Sequence, residues 1–256
     1  MPLEGIPKPG SPDLDAASTE NMAILALARA NVYNLLAGVY AEPPSARLVQ
    51  SIVDGALPSA LRDAGLDRWA AELEGRVDGK NGRTLDQEME IEYARLFSVP
   101  GPDGVAPYQS LYLVHEDDLV PKPNGGRSHR RLLWGGSTVA VQRAYSEAGL
   151  TVGGELRDVP DHIGLELQFM HHLCSREAEA LNSGMCVQAE ESVRQQRRFL
   201  ENHLLLWLDA FCQAVSCATD HPFYQAMAAL TLAFVHSDAQ EIGASPGPSL
   251  CAGSLL

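Results

Sequence analysis

The residues in this sequence that are best placed to do chemistry are the adjacent Asp161 and His162. They stand at the start of a long apolar segment, PDHIGLELQFMHHLC, which runs from Pro160 to Cys174. A carboxylate beside an imidazole at a helix start can act as an acid–base pair, bind a metal ion, dock a peptide or cap the helix. The rest of the sequence has to decide among these four interpretations.

Catalysis and metal binding both need partner residues, and the chain does not supply them at the required spacings. It has no GxxxxGKS/T or GxGxxG phosphate-binding motif, no GxSxG nucleophile motif and no Glu-x-x-His pair for a di-iron site. His162 and Glu166 would share a helix face, but His171 lies about half a turn of helix away from His162. The two residues that remain are too few ligands for a metal site. We therefore expect no metal. An enzyme that uses Asp161 and His162 as an acid–base pair is kept as the alternative function.

The overall charge indicates the kind of partner. The chain has 33 acidic and 19 basic side chains among 256 residues, which gives a net charge of −14. Such a surface repels the phosphates of nucleic acid, so we expect no nucleic-acid partner, and it favours a partner with positive charge.

The sequence also predicts where the protein resides. Five cysteines without a CxxC pair indicate a reducing compartment. The N-terminal residues have neither the basic nor the apolar region of a signal peptide. The most apolar window, residues 22–41, is interrupted by Arg29, Asn31 and Asn34, so we expect no integral membrane segment. We therefore expect a cytoplasmic protein.

Helical periodicity dominates the chain, and sustained alternation of apolar and polar residues is nearly absent. The sequence predicts an all-α fold, a single-domain helical bundle of about eight or more helices over residues 19–236. The tails, residues 1–18 and 237–256, should be disordered because Pro, Gly and Ser are frequent in them. The first helix should bury an apolar stripe formed by Ile24, Leu27, Leu35, Leu36 and Val39.

A long central loop, residues 98–130, interrupts the helices with repeated Pro and Gly. A structureless stretch of this length inside a compact domain is usually functional or disordered. Within it, PYQSLYLV at residues 107–114 contains two Tyr, two Leu and a Val that should be packed. We interpret the segment as a loop held against the helices, and as a hinge that would allow helices to be exchanged between two subunits.

Three blocks of sequence resemble the TorD/DmsD/NarJ family of cytoplasmic chaperones for molybdenum-cofactor oxidoreductases. The first is EYARLFSVPGPDGVAPYQSLYL, residues 92–113, with Tyr-x-x-Leu-Phe, Pro-Gly and Pro-aromatic-x-Ser elements. The second is PDHIGLELQFM, residues 160–170, and the third is FLENHLLLWLDAFCQAVSCATDHPFYQAMAALTLAFV, residues 199–235. Their order and spacing match the family, and the resemblance covers about residues 19–236.

The resemblance implies a chaperone without a catalytic step. Such a protein would bind the twin-arginine signal peptide and the apo form of the catalytic subunit of a molybdopterin oxidoreductase. It would assist cofactor insertion and delay export until the subunit is loaded. It would have no cofactor of its own; GTP binding has been discussed for the family, but no motif here supports or excludes it. The chain would be a monomer or a domain-swapped dimer.

A receptor for such a peptide needs carboxylates beside an apolar groove, because the peptide has a basic region followed by an apolar one. The acidic chain supplies the carboxylates, and the Pro-rich loop supplies apolar side chains on a backbone that Pro pre-orders. The predicted peptide-binding residues are Leu96, Phe97, Pro107, Tyr108, Ser110, Tyr112, Asp158, Asp161, His162 and Glu166.

Structural roles stay open for several of these residues. Asp161 is the N-cap of its helix, a partner for a peptide arginine, or both. His162 either contacts the peptide or only ties the loop to the helix by hydrogen bonding. Leu96 and Phe97 either line the groove or lie in the core, and Ser110 is expected to fix the loop backbone through its hydroxyl.

Overall fold

A computed structural model describes residues 12–77, 82–98, 104–113, 119–121, 127–129, 135–150 and 159–243. Ten α-helices hold most of these residues, so the all-α prediction is confirmed. The helices are α1 (Pro12–Ala41), α2 (Ala46–Val53), α3 (Ala56–Asp63), α4 (Asp67–Val77), α5 (Gly82–Tyr93), α6 (Gly136–Glu147), α7 (Ile163–Asn182), α8 (Cys186–Phe199), α9 (Leu205–Ala218) and α10 (Pro222–Glu241). A π-helical segment, Ala94–Ser98, continues α5, and another, Leu200–Leu204, joins α8 to α9.

Two helices extend into the predicted tails. Helix α1 begins at Pro12, so the prediction of disorder is wrong for residues 12–18. Pro at the first helical position, followed by the acidic Asp13 and Asp15, is a helix-start pattern that outweighs the polar composition. Helix α10 runs to Glu241, so the prediction is also wrong for residues 237–241. Ile242 and Gly243 form the turn that follows α10, and residues 1–11 and 244–256 lie outside the described part of the chain.

The central loop contains more regular structure than predicted. Residues Gln109–Leu111 form a single turn of 3-10 helix. Farther along, β1 (Leu119–Pro121) and β2 (Arg127–His129) pair as an antiparallel hairpin. The interpretation of 98–130 as structureless is therefore wrong in these segments, and the other residues of the loop beyond position 113 lie outside the described ranges.

Helix α7 is the central helix, and α1 packs along it in the antiparallel direction. Near the start of α7, Gly164 lies against Ala37 and Ala41 at the end of α1. Near the other end, Ala23 of α1 forms a small apolar cluster with Ala180 and Leu181. Small side chains at these contacts allow the two helix backbones to approach closely.

The buried face of α1 is only partly the predicted one. Leu36 and Val39 are buried as expected, but Ile24 is 59% exposed and Leu27 is 51% exposed. The core-facing positions of this half of the helix are occupied by alanines, namely Ala23, Ala26 and Ala30. Every residue from Met22 to Ala28 is apolar, so periodicity alone could not tell the inner face from the outer one.

Helix α1 is also the one segment of the described residues that is long and apolar enough to cross a membrane by length and composition. The stretch concerned is Thr19–Ala41, near the N-terminus, and 39% of its most apolar window is buried inside the protein. Core helices of soluble proteins meet the same criterion, and the alanine stripe of α1 packs against α7 in this way.

A buried cluster of polar side chains ties four helices together. The Arg29 guanidinium on α1 donates to Asp238 on α10 and, over 3.0 Å, to Glu177 on α7. Gln196 on α8 accepts from Arg29 and donates to Glu177 over 2.8 Å. The Tyr33 hydroxyl donates to Asp238 over 2.6 Å. Because each buried charge here has a partner, the cluster fixes the position of α1 relative to α7, α8 and α10.

An aromatic core fills the space between α1, α9 and α10. The rings of Tyr40 and Phe211 meet edge to face with centroids 5.2 Å apart, and Tyr224 donates its hydroxyl to the Met89 carbonyl over 2.7 Å. The largest fully buried rings are Tyr33, Tyr40, Phe199, Trp207, Phe211, Phe223 and Tyr224. This rigid core supports the start of α7, where the candidate site lies.

Candidate functional site

The central loop is hydrogen-bonded to the residues that open α7. The Ile163 amide donates to the Pro107 carbonyl over 2.8 Å, and the Gln109 amide donates to the Asp161 carbonyl over 2.9 Å. Tyr108 and His162 face each other between these bonds as an isolated antiparallel bridge. The loop thus pairs with the residues at the start of α7 through an antiparallel β-bridge. We call this region, residues 107–113 with 160–166, the loop–α7 junction.

Asp161 holds the junction together through its carboxylate. One carboxylate oxygen, Oδ2, accepts from the Ser110 amide over 2.7 Å, and the other, Oδ1, accepts from the Thr138 hydroxyl on α6 over 3.0 Å. The side chain is completely buried. Because its two oxygens accept from different elements, this one carboxylate joins the loop and α6 to the start of α7.

His162, and not Asp161, is the N-cap of α7. Its Nδ1 accepts from the Gly164 amide over 3.0 Å, and its backbone has the extended conformation of an N-cap residue. The imidazole ring also meets the Tyr108 ring edge to face at 5.2 Å. Of the roles left open for Asp161, the N-cap role belongs to His162, because the Asp161 carboxylate accepts from the loop and α6 instead.

These bonds do not support the acid–base alternative. The Asp161 carboxylate and the His162 imidazole are engaged in separate structural bonds, to the loop and α6 in one case and to the helix start in the other. Both side chains are buried. In the described residues, no group of three or more His, Cys, Asp or Glu is arranged to hold a metal ion.

Glu166 lies one turn into α7 and is fully buried. Its Oε2 accepts from the Trp207 indole on α9 over 3.2 Å. Burial raises the pKa of Glu166 well above its usual range. The hydrogen bond from Trp207 acts in the opposite direction and lowers the pKa, and the nearby Asp161 raises it further. Burial thus favours the neutral form of the carboxyl, and a fully buried side chain is out of reach of a peptide arginine in this conformation.

Three buried polar atoms at the junction have no hydrogen-bond partner in the described structure. They are Gln109 Oε1, Ser110 Oγ and Glu166 Oε1. Buried polar atoms are nearly always hydrogen-bonded, so three unused ones close together are unusual. The Ser110 backbone, and not its hydroxyl, makes the bond that fixes the loop, which corrects the expected role of the hydroxyl.

Of the predicted groove residues, Leu96 lies in the core and Phe97 is half-buried against it. Leu96 is 1% exposed. The Phe97 ring packs among Tyr40 and Tyr93, with centroids 5.8 Å and 5.4 Å away. Leu96 therefore does not line a surface groove, whereas Phe97 is partly exposed at the edge of the aromatic core. The predicted residue Asp158 lies outside the described residues.

The outer side of the junction is an apolar surface. It is formed by side chains that are half-buried, namely Tyr108, Leu111, Tyr112 and Leu113. Tyr112 is supported from below by Trp207, with ring centroids 5.2 Å apart. Pro107 is buried beneath this surface. The structure thus brings Pro107, Tyr108, Ser110, Tyr112, Asp161, His162 and Glu166 into one region.

Sequence reasoning missed several residues of the junction. Thr138 on α6 donates to Asp161, and Tyr145 on the same helix donates its hydroxyl to the Pro160 carbonyl over 2.9 Å. Trp207 is part of the third sequence block, but its bond to Glu166 joins positions far apart in the chain. A single sequence carries no signal for these long-range pairs.

Known proteins are similar to this chain over most of its length. The family model described as nitrate reductase delta subunit matches residues 56–213. The chaperone protein TorD of Shewanella pealeana is 25% identical over 232 residues, which covers 88% of this chain and 96% of the relative. The TorD of Shewanella loihica is 28% identical over 224 residues, with 85% and 94% covered. The TorD of Colwellia psychrerythraea is 25% identical over 228 residues, with 83% and 91% covered.

The match to the family extends over more than half of the chain and includes the start of α7, with Asp161, His162 and Glu166. The relatives are chaperones by name, in agreement with a site in which Asp161 and His162 perform structural work. The chain therefore belongs to the nitrate reductase delta subunit family, the TorD/NarJ group of chaperones for molybdoenzyme maturation.

Proposed function

We propose that the protein is a cytoplasmic chaperone that binds the twin-arginine signal peptide and the apo form of a molybdopterin oxidoreductase catalytic subunit. Binding would keep the subunit open for cofactor insertion and delay its export. The observation that carries the proposal is the loop–α7 junction, where the buried Asp161 and His162 hold a loop whose outer side is apolar. Both residues are positioning residues for the contact surface.

The chemistry of the junction supports this partner. The apolar region of a signal peptide can rest on the half-buried Tyr108, Leu111, Tyr112 and Leu113. Its basic region is attracted by a chain with a net charge of −14. Because the loop is already fixed to α7 before the peptide arrives, less ordering entropy is lost on binding.

The proposed function requires no cofactor of the chaperone's own. GTP is suggested only by the family resemblance, and binding measured with and without GTP would test it. We propose that the chain works as a monomer or as a domain-swapped dimer in which the central loop is the hinge.

Isothermal titration calorimetry of the chain with a synthetic client signal peptide tests the proposal. We expect binding to weaken by about tenfold or more, roughly 1.4 kcal/mol, when both peptide arginines are replaced by alanine. Failure of the intact signal peptide to bind would contradict the proposed function.

The contact surface is tested with Leu111→Ser, which removes apolar area without touching the Asp161 bonds. We expect weaker peptide binding with an unchanged urea midpoint. Ile91→Ser is the matched control, since Ile91 is an exposed apolar residue on α5, away from the junction. Equal affinity of the Leu111→Ser and Ile91→Ser variants would rule out this surface as the contact.

A further inference from the structure

A cavity of about 470 Å³ lies between α6, α7 and α8. Sites for small molecules in proteins have volumes of roughly 300–1,000 Å³. The buried rings of Phe169 and Phe199, whose centroids are 4.7 Å apart, form an apolar wall of this cavity. Among the described residues that line it, none belongs to the loop–α7 junction. It is therefore a separate site, and we call it the α6–α8 cavity.

Two arginines at the α6–α8 cavity are unpaired. Arg143 on α6 and Arg198 on α8 both line it, and both residues are exposed. Within the described ranges, neither guanidinium takes part in a hydrogen bond or a salt bridge. In a chain with a net charge of −14, two unpaired arginines beside one cavity are an exception. A guanidinium presents a fork of N–H donors that matches the two oxygens of a carboxylate.

His203 lines the same cavity and has an unused polar atom. It lies on the π-helical segment Leu200–Leu204 and is 7% exposed. Its Nδ1 is buried and has no hydrogen-bond partner in the described structure. Burial lowers the pKa of His203 to about 4, so the ring is neutral near pH 7 and can bond to a neutral polar group. Buried polar atoms are nearly always bonded, and π-helical segments often occur at functional sites, so both features indicate a ligand.

The other polar side chains of the cavity are held in place by the protein itself. Glu191 accepts from Arg194 over 2.5 Å and from Gln195 over 3.1 Å. Asn202 donates to the Arg198 carbonyl over 2.8 Å. The charge of Glu191 is thus balanced mainly by Arg194, and the Arg198 guanidinium remains available to a ligand.

We propose that the α6–α8 cavity binds a small aromatic acid that carries a hydroxyl group at the end opposite its carboxylate. The order of the three parts follows from the burial of the residues that line the cavity. The exposed Arg143 and Arg198 bind the carboxylate. The rings of Phe169 and Phe199 contact the aromatic body. The hydroxyl bonds to the buried Nδ1 of His203, and a hydroxyl suits either tautomer of the ring because it can both donate and accept.

The charges argue against a nucleotide in this cavity. Glu147 on α6 lines it together with Glu191, and both carboxylates repel a ligand that carries several negative charges. A single carboxylate on the ligand is matched by the two unpaired arginines. The inference is independent of the proposed function, because the cavity lies outside the surface assigned to the signal peptide.

The test is an NMR titration of the full isotope-labelled chain, with 4-hydroxybenzoate as the probe. We expect saturable binding, and binding about tenfold weaker for the uncharged 4-hydroxybenzamide. Arg143→Gln combined with Arg198→Gln should weaken binding of 4-hydroxybenzoate by about tenfold or more. Arg47→Gln combined with Arg68→Gln is the matched control, because it removes two positive charges from exposed residues of α2 and α4. It should leave binding unchanged.

The hydroxyl group of the probe tests the role of His203. We expect the wild type to bind 4-hydroxybenzoate about fivefold more tightly than benzoate, because benzoate leaves the His203 Nδ1 without a partner. His203→Leu removes both ring nitrogens and keeps an apolar side chain of similar size. In this variant the two ligands should bind equally. Arg143 and Arg198 are exposed, so the arginine test stands even where His203→Leu does not fold.

Several results would overturn the inference. Signal changes that do not saturate would show that the acid has no site on the chain. Equal affinities of the arginine variant and its control, or of the acid and its amide, would exclude the two arginines as its ligands. Tighter binding of GTP than of 4-hydroxybenzoate at the same residues would identify a nucleotide site instead. A preference for the hydroxyl that persists in His203→Leu would exclude His203 as its partner.

Discussion

Asp161 is the single residue on which the loop–α7 junction depends most. Its carboxylate accepts from the Ser110 amide in the loop and from the Thr138 hydroxyl on α6, and it does so out of contact with water. Removal of such an acceptor leaves two donors without partners. The function of Asp161 is therefore to position the loop, and its effect on a client is indirect.

The Asp161→Ala substitution should lower the free energy of unfolding by about 2–3 kcal/mol, because two hydrogen bonds to a buried acceptor are lost and their donors stay buried. Thr138→Val, which removes only one donor, should cost about 1 kcal/mol. Urea titration followed by circular dichroism measures both. If the two variants unfold at the same urea concentration as the wild type, the carboxylate does not hold the junction.

Glu166 makes the stability of the protein depend on pH. Burial raises its pKa in the folded state, whereas the unfolded chain has the ordinary value of 4.5. The folded protein therefore keeps a proton that the unfolded chain releases. The stability associated with the neutral carboxyl is complete below pH 4.5 and is lost as the pH rises through the folded-state pKa.

The Glu166→Gln variant carries a neutral side chain at every pH and can still accept from the Trp207 indole. We expect its stability, relative to that of the wild type, to increase as the pH rises above about 4.5. Chemical unfolding at a series of pH values gives this difference directly. Parallel stability curves for the two proteins would show that Glu166 is not held neutral by the fold.

Among the elements, the contact of α1 with α7 determines the geometry of the site. Gly164 is the second residue of α7, and a Cβ there would come within 3.0 Å of the Ala41 Cβ, 3.1 Å of His162 Nδ1 and 3.2 Å of the Ala37 carbonyl oxygen. The contact between the two helices and the His162 cap thus both depend on the small size of residue 164. A larger residue at this position would disturb both.

Two glycine substitutions separate this packing effect from helix propensity. Gly164→Ala should lower stability by about 1–3 kcal/mol through overpacking. Gly38→Ala, in α1, meets nothing within 4 Å and should raise stability by about 0.5–1 kcal/mol, because alanine favours the helix. Thermal unfolding of both variants tests the contrast. Stabilisation by Gly164→Ala would show that the contact between α1 and α7 is looser than described.

The elements also show what the sequence could predict. The helices, the packed loop and the importance of the Asp161 region follow from local patterns. The inner face of α1 does not, because Met22 to Ala28 are all apolar and only the close approach to α7 selects alanine. The sequence also could not show that His162, and not Asp161, caps α7. Either side chain can cap a helix, and the bond from Thr138 decides which one does.

The whole molecule combines a rigid interior with an acidic exterior. Buried aromatic rings and the Arg29 cluster fix the positions of the helices, and the chain carries a net charge of −14. Its exposed apolar side chains include those on the outer side of the loop–α7 junction and several on α1, namely Met22, Ile24, Leu25 and Leu27. This arrangement suits a protein that holds another chain, since rigid contact surfaces limit the entropy lost on binding.

The most direct measurement is capture of the client by an affinity-tagged chain in its native cells. Mass spectrometry would identify the captured protein, and metal analysis would give its molybdenum content. We expect a molybdopterin oxidoreductase catalytic subunit that still carries its twin-arginine signal peptide and lacks molybdenum. Absence of any such subunit, or equal capture of the molybdenum-loaded mature enzyme, would contradict the account of the protein as a maturation chaperone.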